Sequence, residues 1–476
     1  MMDRETDILI IGAGVVGCAL ARVLSRFETR VLVIDRADDV SEGASKANSG
    51  IVHAGFDAKP GTDKARLNVL GARRYPALCK ELGVPYKQIG ALVVAFREED
   101  RPVLEQLKAQ GEANGVPRLR IVEHDELMQM EPQLNPSAVA ALEAPTSGIV
   151  SPYELVFALA DHAAINGVEF QFGTEAQTIV REDTGYRVET SRGVIRAHSV
   201  VNCAGVDSGR LHSQVSPRPC RIIPRRGEYY VLDHPAEAPF SRTIFQCPTK
   251  MGKGVLVSPT VHGNVLLGPT AMDIEDGLDT ATTAGGLAEC LQKSALTWPK
   301  VSTRTAVTNF AGIRAHEEHG DFLVGEAAPL FYEAAGFESP GLTSAPALAE
   351  ELGRDMAEDL NLRQKETWLP APEHEKPFNE MNDAERTEAI AGNPLHGQLI
   401  CRCEVVTEAE IRAAIRRPVG ARTVDGVKRR CRAGMGRCQG GFCAPRVVEI
   451  LAEELGVPMT EIRKGSGASD MLVGEI

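Results

Sequence analysis

Three hydrophobic rhythms succeed one another along the chain. Asp7–Ile11 is a short, mostly apolar run closing on glycine, the pattern of a strand buried on both faces of a parallel sheet. Val16, Ala19, Leu20, Val23, Leu24 and Phe27 then recur at helical spacing, which predicts a helix over Val16–Phe27. Val31–Ile34 predicts a second buried strand that closes on Asp35, completing a β-α-β unit of about thirty residues. Helical spacing returns at Arg66–Leu82, Arg101–Asn114 and Pro152–Asn166. Strand-like runs follow at Val168–Phe172, Thr178–Val180, Tyr186–Thr190 and Val200–Cys203. From Pro219 to about Thr308 the rhythm changes to short alternating segments, Gly227–Leu232, Gly254–Ser258 and Asn264–Leu267, which predict an antiparallel sheet. Ser41–Lys59, rich in Ser, Gly and Ala, predicts a loop, and Gly336–Glu351 a turn followed by a helix. Asn361–Gly397 is polar, with prolines at 370, 372, 377 and 394, and predicts a linker. There is no internal repeat and no low-complexity tract.

At 476 residues the chain is too long for one compact domain, and two or three are expected. A hydrophobic content of 43% with 45 glycines fits a loop-rich α/β protein. Net charge is −13, unevenly spread: residues 393–476 hold 13 Lys and Arg against 10 Asp and Glu, which leaves −16 on the remainder. An acidic body argues against nucleic acid, and the mildly basic tail suggests a functionally separate module. No stretch approaches the ~20 apolar residues of a spanning helix, and the N-terminus lacks a basic region before its short apolar run. The expectation is a cytoplasmic protein that meets a membrane only through a partner.

Candidate chemistry lies at both ends. In Gly12-Ala-Gly14-Val-Val-Gly17 the first glycine permits the turn after the strand, the second lets a pyrophosphate approach the backbone, and the third lets helix and strand pack closely. The helix N-terminus then offers N–H groups and a positive dipole to phosphates. Asp35, at the end of the second strand, is placed to bind a ribose diol. Val200–Cys203 runs into Ala204-Gly205, typical of a buried strand end facing a cofactor. The motif alone does not separate FAD from NAD.

Eleven cysteines divide into six scattered ones and five crowded between Cys401 and Cys443, a clustering that favours metal over disulfides. In Cys401-Arg-Cys403 an extended backbone points both thiolates to one side. Cys438 and Cys443 add a second pair across a glycine-rich turn. Four thiolates satisfy either a [2Fe-2S] cluster or a structural zinc. Cys431 is left over, either as a spare thiol or as a thiolate favoured by Lys428, Arg429, Arg430 and Arg432. Those cations would either stabilise an anionic cluster or form a solvated basic face.

Ala47-Asn-Ser49-Gly50-Ile-Val-His53-Ala-Gly55 and Gly336-Phe-Glu-Ser-Pro-Gly341-Leu342-Thr343-Ser344-Ala resemble the D-amino-acid-oxidase-like FAD-dependent oxidoreductases over roughly residues 5 to 360. The branch includes glycerol-3-phosphate dehydrogenases and oxidases and L-2-hydroxyglutarate dehydrogenases. Residues 398–456, with Ile400-Cys-Arg-Cys-Glu-Val-Val-Thr and Arg432-Ala-Gly-Met-Gly-Arg-Cys-Gln-Gly-Gly-Phe-Cys, resemble a bacterioferritin-associated-ferredoxin-like [2Fe-2S] domain.

These resemblances imply a Rossmann-like FAD-binding domain (1–80, 145–215 and 310–360) interleaved with an antiparallel-sheet substrate domain (81–144 and 216–309). A linker (361–397), a small α-rich [2Fe-2S] module (398–456) and a tail (457–476) would follow. Gly12, Gly14, Gly17 and Asp35 would hold the ADP half of FAD. Ser49, Gly50, Gly205 and the turn Gly341-Leu342-Thr343 would approach the flavin, and Cys401, Cys403, Cys438 and Cys443 would ligate the cluster.

Removing hydride from a secondary alcohol also needs a base for the hydroxyl proton, and a histidine titrates in the right range. His53 is the candidate. An anionic substrate needs fixed cations; the resemblance assigns Arg314 and Lys253 to it, with Ser344 beside them, while Arg225 and Arg226 are weaker candidates. The implied activity is oxidation of sn-glycerol 3-phosphate to dihydroxyacetone phosphate, with electrons passing through the cluster to a flavoprotein or iron–sulfur partner. The alternatives are L-2-hydroxyglutarate, an amine or amino acid as substrate, or a non-catalytic electron-transfer subunit.

Overall fold

The computed structural model describes residues 3–235, 237–248, 254–373 and 375–474. The first apolar run forms β1 (Arg4–Ile11), and Ile8, Leu9 and Ile10 on it have no exposed surface on either face. α1 (Val15–Leu24) is buried along its whole length and stops short of Phe27, which instead forms a bridge to Gln364. β2 (Val31–Ile34) lies parallel to β1, Ile8 opposite Val31, so the predicted β-α-β unit is present. α2 (Asp63–Leu82), capped by Thr62, and α3 (Pro152–Ile165), opened by proline, join α1 in one apolar cluster.

β3 (Gly193–Asn202) takes the other edge of β1 in parallel and is shared by two partners. Its first half pairs antiparallel with Gly185–Thr190. β4 (Ile222–Leu232) and β5 (Ala306–Glu317) lie in a second sheet; β6 (Phe331–Ala335) returns to the first, parallel to the end of β3. α4 (Gly341–Asp359) then packs on α1 and α2, closing a sheet of eight strands among the described residues.

The second sheet has nine strands among the described residues. β4 and β5 pair antiparallel from Ile222 opposite Glu317 to Leu232 opposite Ala306, so β5 crosses position 310 and stays in this sheet to its end. The sheet is mixed rather than purely antiparallel, because Thr243–Gln246 runs parallel to Ala91–Ala95. Within the stretch read as an antiparallel sheet there is also a helix, Ala284–Thr297.

The predicted linker is tied down. Trp368 packs tilted against His162 (ring centroids 4.3 Å apart) and donates to Ser25 Oγ (3.0 Å), and a short helix follows at Asp383–Gly392. The C-terminal module packs α5 (Glu408–Arg416), α6 (Val424–Cys431) and α7 (Ala444–Leu455) around its own core. Ile462, from the expected tail, belongs to that core. No helix among the described residues is long and apolar enough to cross a membrane.

Candidate active site and cysteine centre

The glycine fingerprint folds as a cradle. Gly12 has φ +110°, and a Cβ there would lie 2.3 Å from the Cys203 carbonyl oxygen at the end of β3. A Cβ on Gly17 would lie 2.0 Å from the Gly12 carbonyl, so only glycine lets α1 approach β1 this closely. α1 starts at Gly14 without a side-chain cap, and its Val15 N–H donates to Ser45 Oγ at 2.9 Å. The Asp35 carboxylate accepts from the N–H groups of Ala13 and Ala37, both at 2.8 Å. Burial raises its pKa, and those two N–H groups oppose the rise. Gly205 (φ +58°) would point a Cβ into open space. A side-chain-free turn, a helix N-terminus and a strand-end carboxylate together fit the ADP half of FAD.

A second set of loops meets at the start of α4. Thr343 Oγ1 accepts from the His53 N–H (3.0 Å) and donates to the Ile51 carbonyl (3.3 Å), pinning the histidine loop to the Gly341 turn. The Tyr75 hydroxyl donates to the Leu342 carbonyl at 2.5 Å, and Asn68 Nδ2 to the His53 carbonyl at 2.9 Å. The His53 ring packs 5.8 Å from Phe245, with Nε2 3.3 Å from Ser339 Oγ. Gly50 (φ +63°) packs its backbone against Val150, and its N–H donates to Asn48 Oδ1 at 2.8 Å. The turn before α4 is anchored by Glu338, which accepts from Lys64 Nζ (2.8 Å) and contacts His316 Nδ1 (2.9 Å). Burial alone would raise Glu338; Lys64 and His316 outweigh it and hold the carboxyl below the usual range.

Arg314 projects from β5 against Gly227, where a Cβ would lie 2.2 Å from its Nη2, and donates to the Thr270 carbonyl at 2.9 Å. Tyr229 stacks on Phe310 (4.6 Å), and its phenol lies within the influence of Arg314 and Ser49. Burial raises that phenol against the pull of Arg314. β5 passes directly under the Ser49 loop, since a Cβ on Gly312 would lie 1.9 Å from the Ala47 carbonyl. The structure therefore joins Ser49 to Arg314 through Tyr229. The sequence reading missed Tyr229, Ser45 and Ser339; strand alternation two residues past Gly227 was the one signal for Tyr229.

Other expectations fare differently. Ser344 is fully enclosed where α4 meets α2, and its Oγ makes no hydrogen bond among the described residues. Lys253, with Lys250, lies outside the described residues. Arg225 and Arg226 are committed to the sheet: Arg225 pairs with Asp273 (2.6 Å), and buried Arg226 with Asp279 (2.7 Å).

The four cysteines of the module stand as two pairs. Cys403 and Cys438 have sulfurs 3.9 Å apart, and Cys401 is paired with Cys443. The neighbouring Cys443 thiol, with backbone N–H groups of Gly434, Glu404 and Cys403, pulls the Cys401 thiol down to about 6 despite burial. Cys438 is lowered first by the Phe442 N–H, aided by Gly440 and Gly441. Among the described residues no three His, Cys, Asp or Glu side chains converge as a single ion would require. Two pairs, with amide N–H groups aimed at the sulfurs, fit the two irons of a [2Fe-2S] cluster. Cys401 and Cys443 are buried, whereas Cys403 is exposed and Cys438 partly so. Cys431 donates to the Val427 carbonyl (3.3 Å), and burial pushes its thiol up to about 12.

The basic run is neither a solvated face nor wholly a cluster field. Lys428 reaches Gln439 (3.2 Å) and Arg432 reaches Glu404 (2.9 Å), both beside the cysteine loops. Arg429 and Arg430 are buried and pair with Glu42 and Asp39 of the body. The basic tail is thus docked onto the acidic body.

The sequence model of the FAD dependent oxidoreductase family matches residues 7–354, and that of the BFD-like [2Fe-2S] binding domain matches residues 399–453. A glycerol 3-phosphate dehydrogenase of Caloramator mitchellensis is 46% identical over 476 residues, 98% of each chain. A glycerol 3-phosphate oxidase of Mycoplasma pneumoniae is 33% identical over 378 residues, 76% of this chain and 97% of its own. The solved structure of dithionite reduced L-alpha-glycerophosphate oxidase from Mycoplasma pneumoniae with FAD bound superposes with a TM-score of 0.73 at 32% identity, covering 77% of this chain and 97% of that one. The family match takes in the glycine cradle, the His53 loop and the Gly341 turn together. On that extent of agreement the chain belongs to the FAD dependent oxidoreductase family, as an FAD enzyme that carries a [2Fe-2S] domain at its C-terminal end.

Proposed function

We propose that this chain is a dehydrogenase that oxidises sn-glycerol 3-phosphate to dihydroxyacetone phosphate and passes both electrons on, one at a time, through its C-terminal module. One observation carries the reading. Similarity to the Caloramator glycerol 3-phosphate dehydrogenase runs through the body and the cysteine module alike, whereas the oxidase relative matches the body only. Bound FAD supplies the hydride acceptor, and the [2Fe-2S] cluster a one-electron carrier.

The chain's own residues do the rest. His53 takes the hydroxyl proton at Nε2, the ring atom that Ser339 Oγ approaches at 3.3 Å. Thr343 and Asn68 hold its backbone from two sides, so the base is positioned before substrate arrives. Arg314, steadied by Thr270 and Tyr229, anchors the phosphate with a charge-assisted hydrogen bond. Cys403 is exposed, and Phe442, next to Cys443 in the chain, is 89% exposed; this face of the module is where an acceptor flavoprotein or iron–sulfur subunit would dock.

The test is anaerobic addition of glycerol 3-phosphate, L-2-hydroxyglutarate and amino acids in turn, following flavin absorbance. Rapid bleaching by glycerol 3-phosphate alone is expected. Faster bleaching by 2-hydroxyglutarate or an amino acid would replace the substrate assignment, and bleaching by none would leave an electron-transfer subunit.

A further inference from the structure

We infer that Arg430, on the iron–sulfur module, is a positioning residue for the FAD site, so that FAD binding and module docking are thermodynamically coupled. The connection is the segment 38–45, which has one face on each. On its inner side the Ser41 N–H donates to the Ala13 carbonyl (2.9 Å) inside the glycine fingerprint. Ser45 Oγ caps the Val15 N–H at the start of α1 and lies 3.1 Å from where Gly14 would carry a Cβ.

On its outer side the same segment is gripped by α6. Arg430 holds the Asp39 carboxylate through both guanidinium ends, at 2.6 and 2.7 Å. It also donates to the Val419 carbonyl (2.9 Å), and its guanidinium lies 4.0 Å from the Phe157 ring centroid on α3. Arg429 pairs with Glu42, and the Asp38 N–H donates to Ser466 Oγ (3.1 Å). The side chains of Arg430 and Asp39 are 0% and 3% exposed. Between the two faces Ser41 is fully buried at φ +67°, a conformation a non-glycine residue keeps only when its surroundings impose it.

Without Arg430 the buried Asp39 carboxylate keeps only the looser contact of Arg429 at 3.7 Å, and a buried carboxylate that loses its two-point clamp moves toward water or takes a proton. Either response shifts the segment that carries Ser41 and Ser45, and with it the fingerprint they support. By linkage the effect is reciprocal: whatever module docking adds to FAD affinity, FAD adds to module docking.

The experiment uses the full chain with its cluster retained and its FAD removed, titrated with FAD by fluorescence quenching. Arg430→Gln should weaken FAD roughly 5–150-fold, the usual range of a coupling between sites. Arg430→Lys, which keeps the charge but not the two-point grip, should recover part of the loss. Hydrogen exchange on the unaltered chain gives an independent measure: FAD should slow exchange across 424–431. An Arg430→Gln affinity within twofold of the parent (about 0.4 kcal/mol, a level that additivity errors already reach) overturns the inference, as does exchange in α6 that ignores FAD.

Discussion

His53 is held by its backbone as well as by its ring: Thr343 takes its N–H and Asn68 its carbonyl, and both of these contacts survive loss of the imidazole. His53→Ala is therefore expected to lower kcat by about 10²–10⁴, the range for removing a general base, while FAD content stays at the parent level. Flavin absorbance per protein and steady-state turnover check this together; parent-like turnover would remove His53 as the base. Residues of this kind were legible in the sequence where their chemistry is local. The three fingerprint glycines and Asp35 come together as their spacing led one to expect, whereas the cysteines, read as Cys401 with Cys403 and Cys438 with Cys443, pair across the two segments instead. Tyr229 declared no role, because its partners Ser49 and Arg314 belong to distant parts of the chain. Arg429 and Arg430 were misread for the same reason: adjacency to cysteines is visible in sequence, whereas the acids that neutralise them lie 387 and 391 residues away.

Helices and strands were legible where one side of them is apolar. β1, β2 and α1 are sealed in hydrophobic surroundings, and their runs say so. Ala284–Thr297 buries only Cys290, Ser294 and Thr297, a stripe too polar to register as an apolar face. Asp383–Gly392 buries nothing; its start is set by a capping box between Asn382 and Glu385. No periodicity reveals how α2 meets α4, either. They touch at Gly71, where a Cβ would lie 1.9 Å from the Thr343 carbonyl and 3.3 Å from Ser344 Cα. Both obstacles are backbone, so Gly71→Ala must push the helices apart and disturb the turn that orients His53. A destabilisation of about 1–3 kcal/mol, typical of overpacking, is expected from urea unfolding read by flavin release, with turnover falling as well. Gly43→Ala, which meets nothing within 4 Å, is the control and should leave both unchanged. Equal behaviour of the two variants would show that this contact has no role in the site.

At the scale of the molecule, body and module divide the reaction between them. The body assembles around its own cores, and the oxidase relative consists of little else, so reduction of the flavin by substrate belongs to residues before the module. The module contributes a cluster site whose inner pair, Cys401 and Cys443, is part of its hydrophobic core, and whose outer Cys403 is exposed. Its grip on the body runs through Arg429 and Arg430 on α6, through Arg417 with Asp161, and, beside the cysteine loop, through Arg437 with Asp233. Cys403→Ser would remove one of the four proposed thiolate ligands at an exposed position, without opening either core. The expected variant has lost its cluster absorbance, keeps its FAD, and is bleached by glycerol 3-phosphate at the parent rate under anaerobic conditions. Transfer onward to a haem protein that accepts single electrons should fall to the rate of the uncatalysed reaction. A slowed bleaching step with FAD still bound would mean that the module takes part in substrate oxidation itself, and the division of labour between the two halves would have to be abandoned.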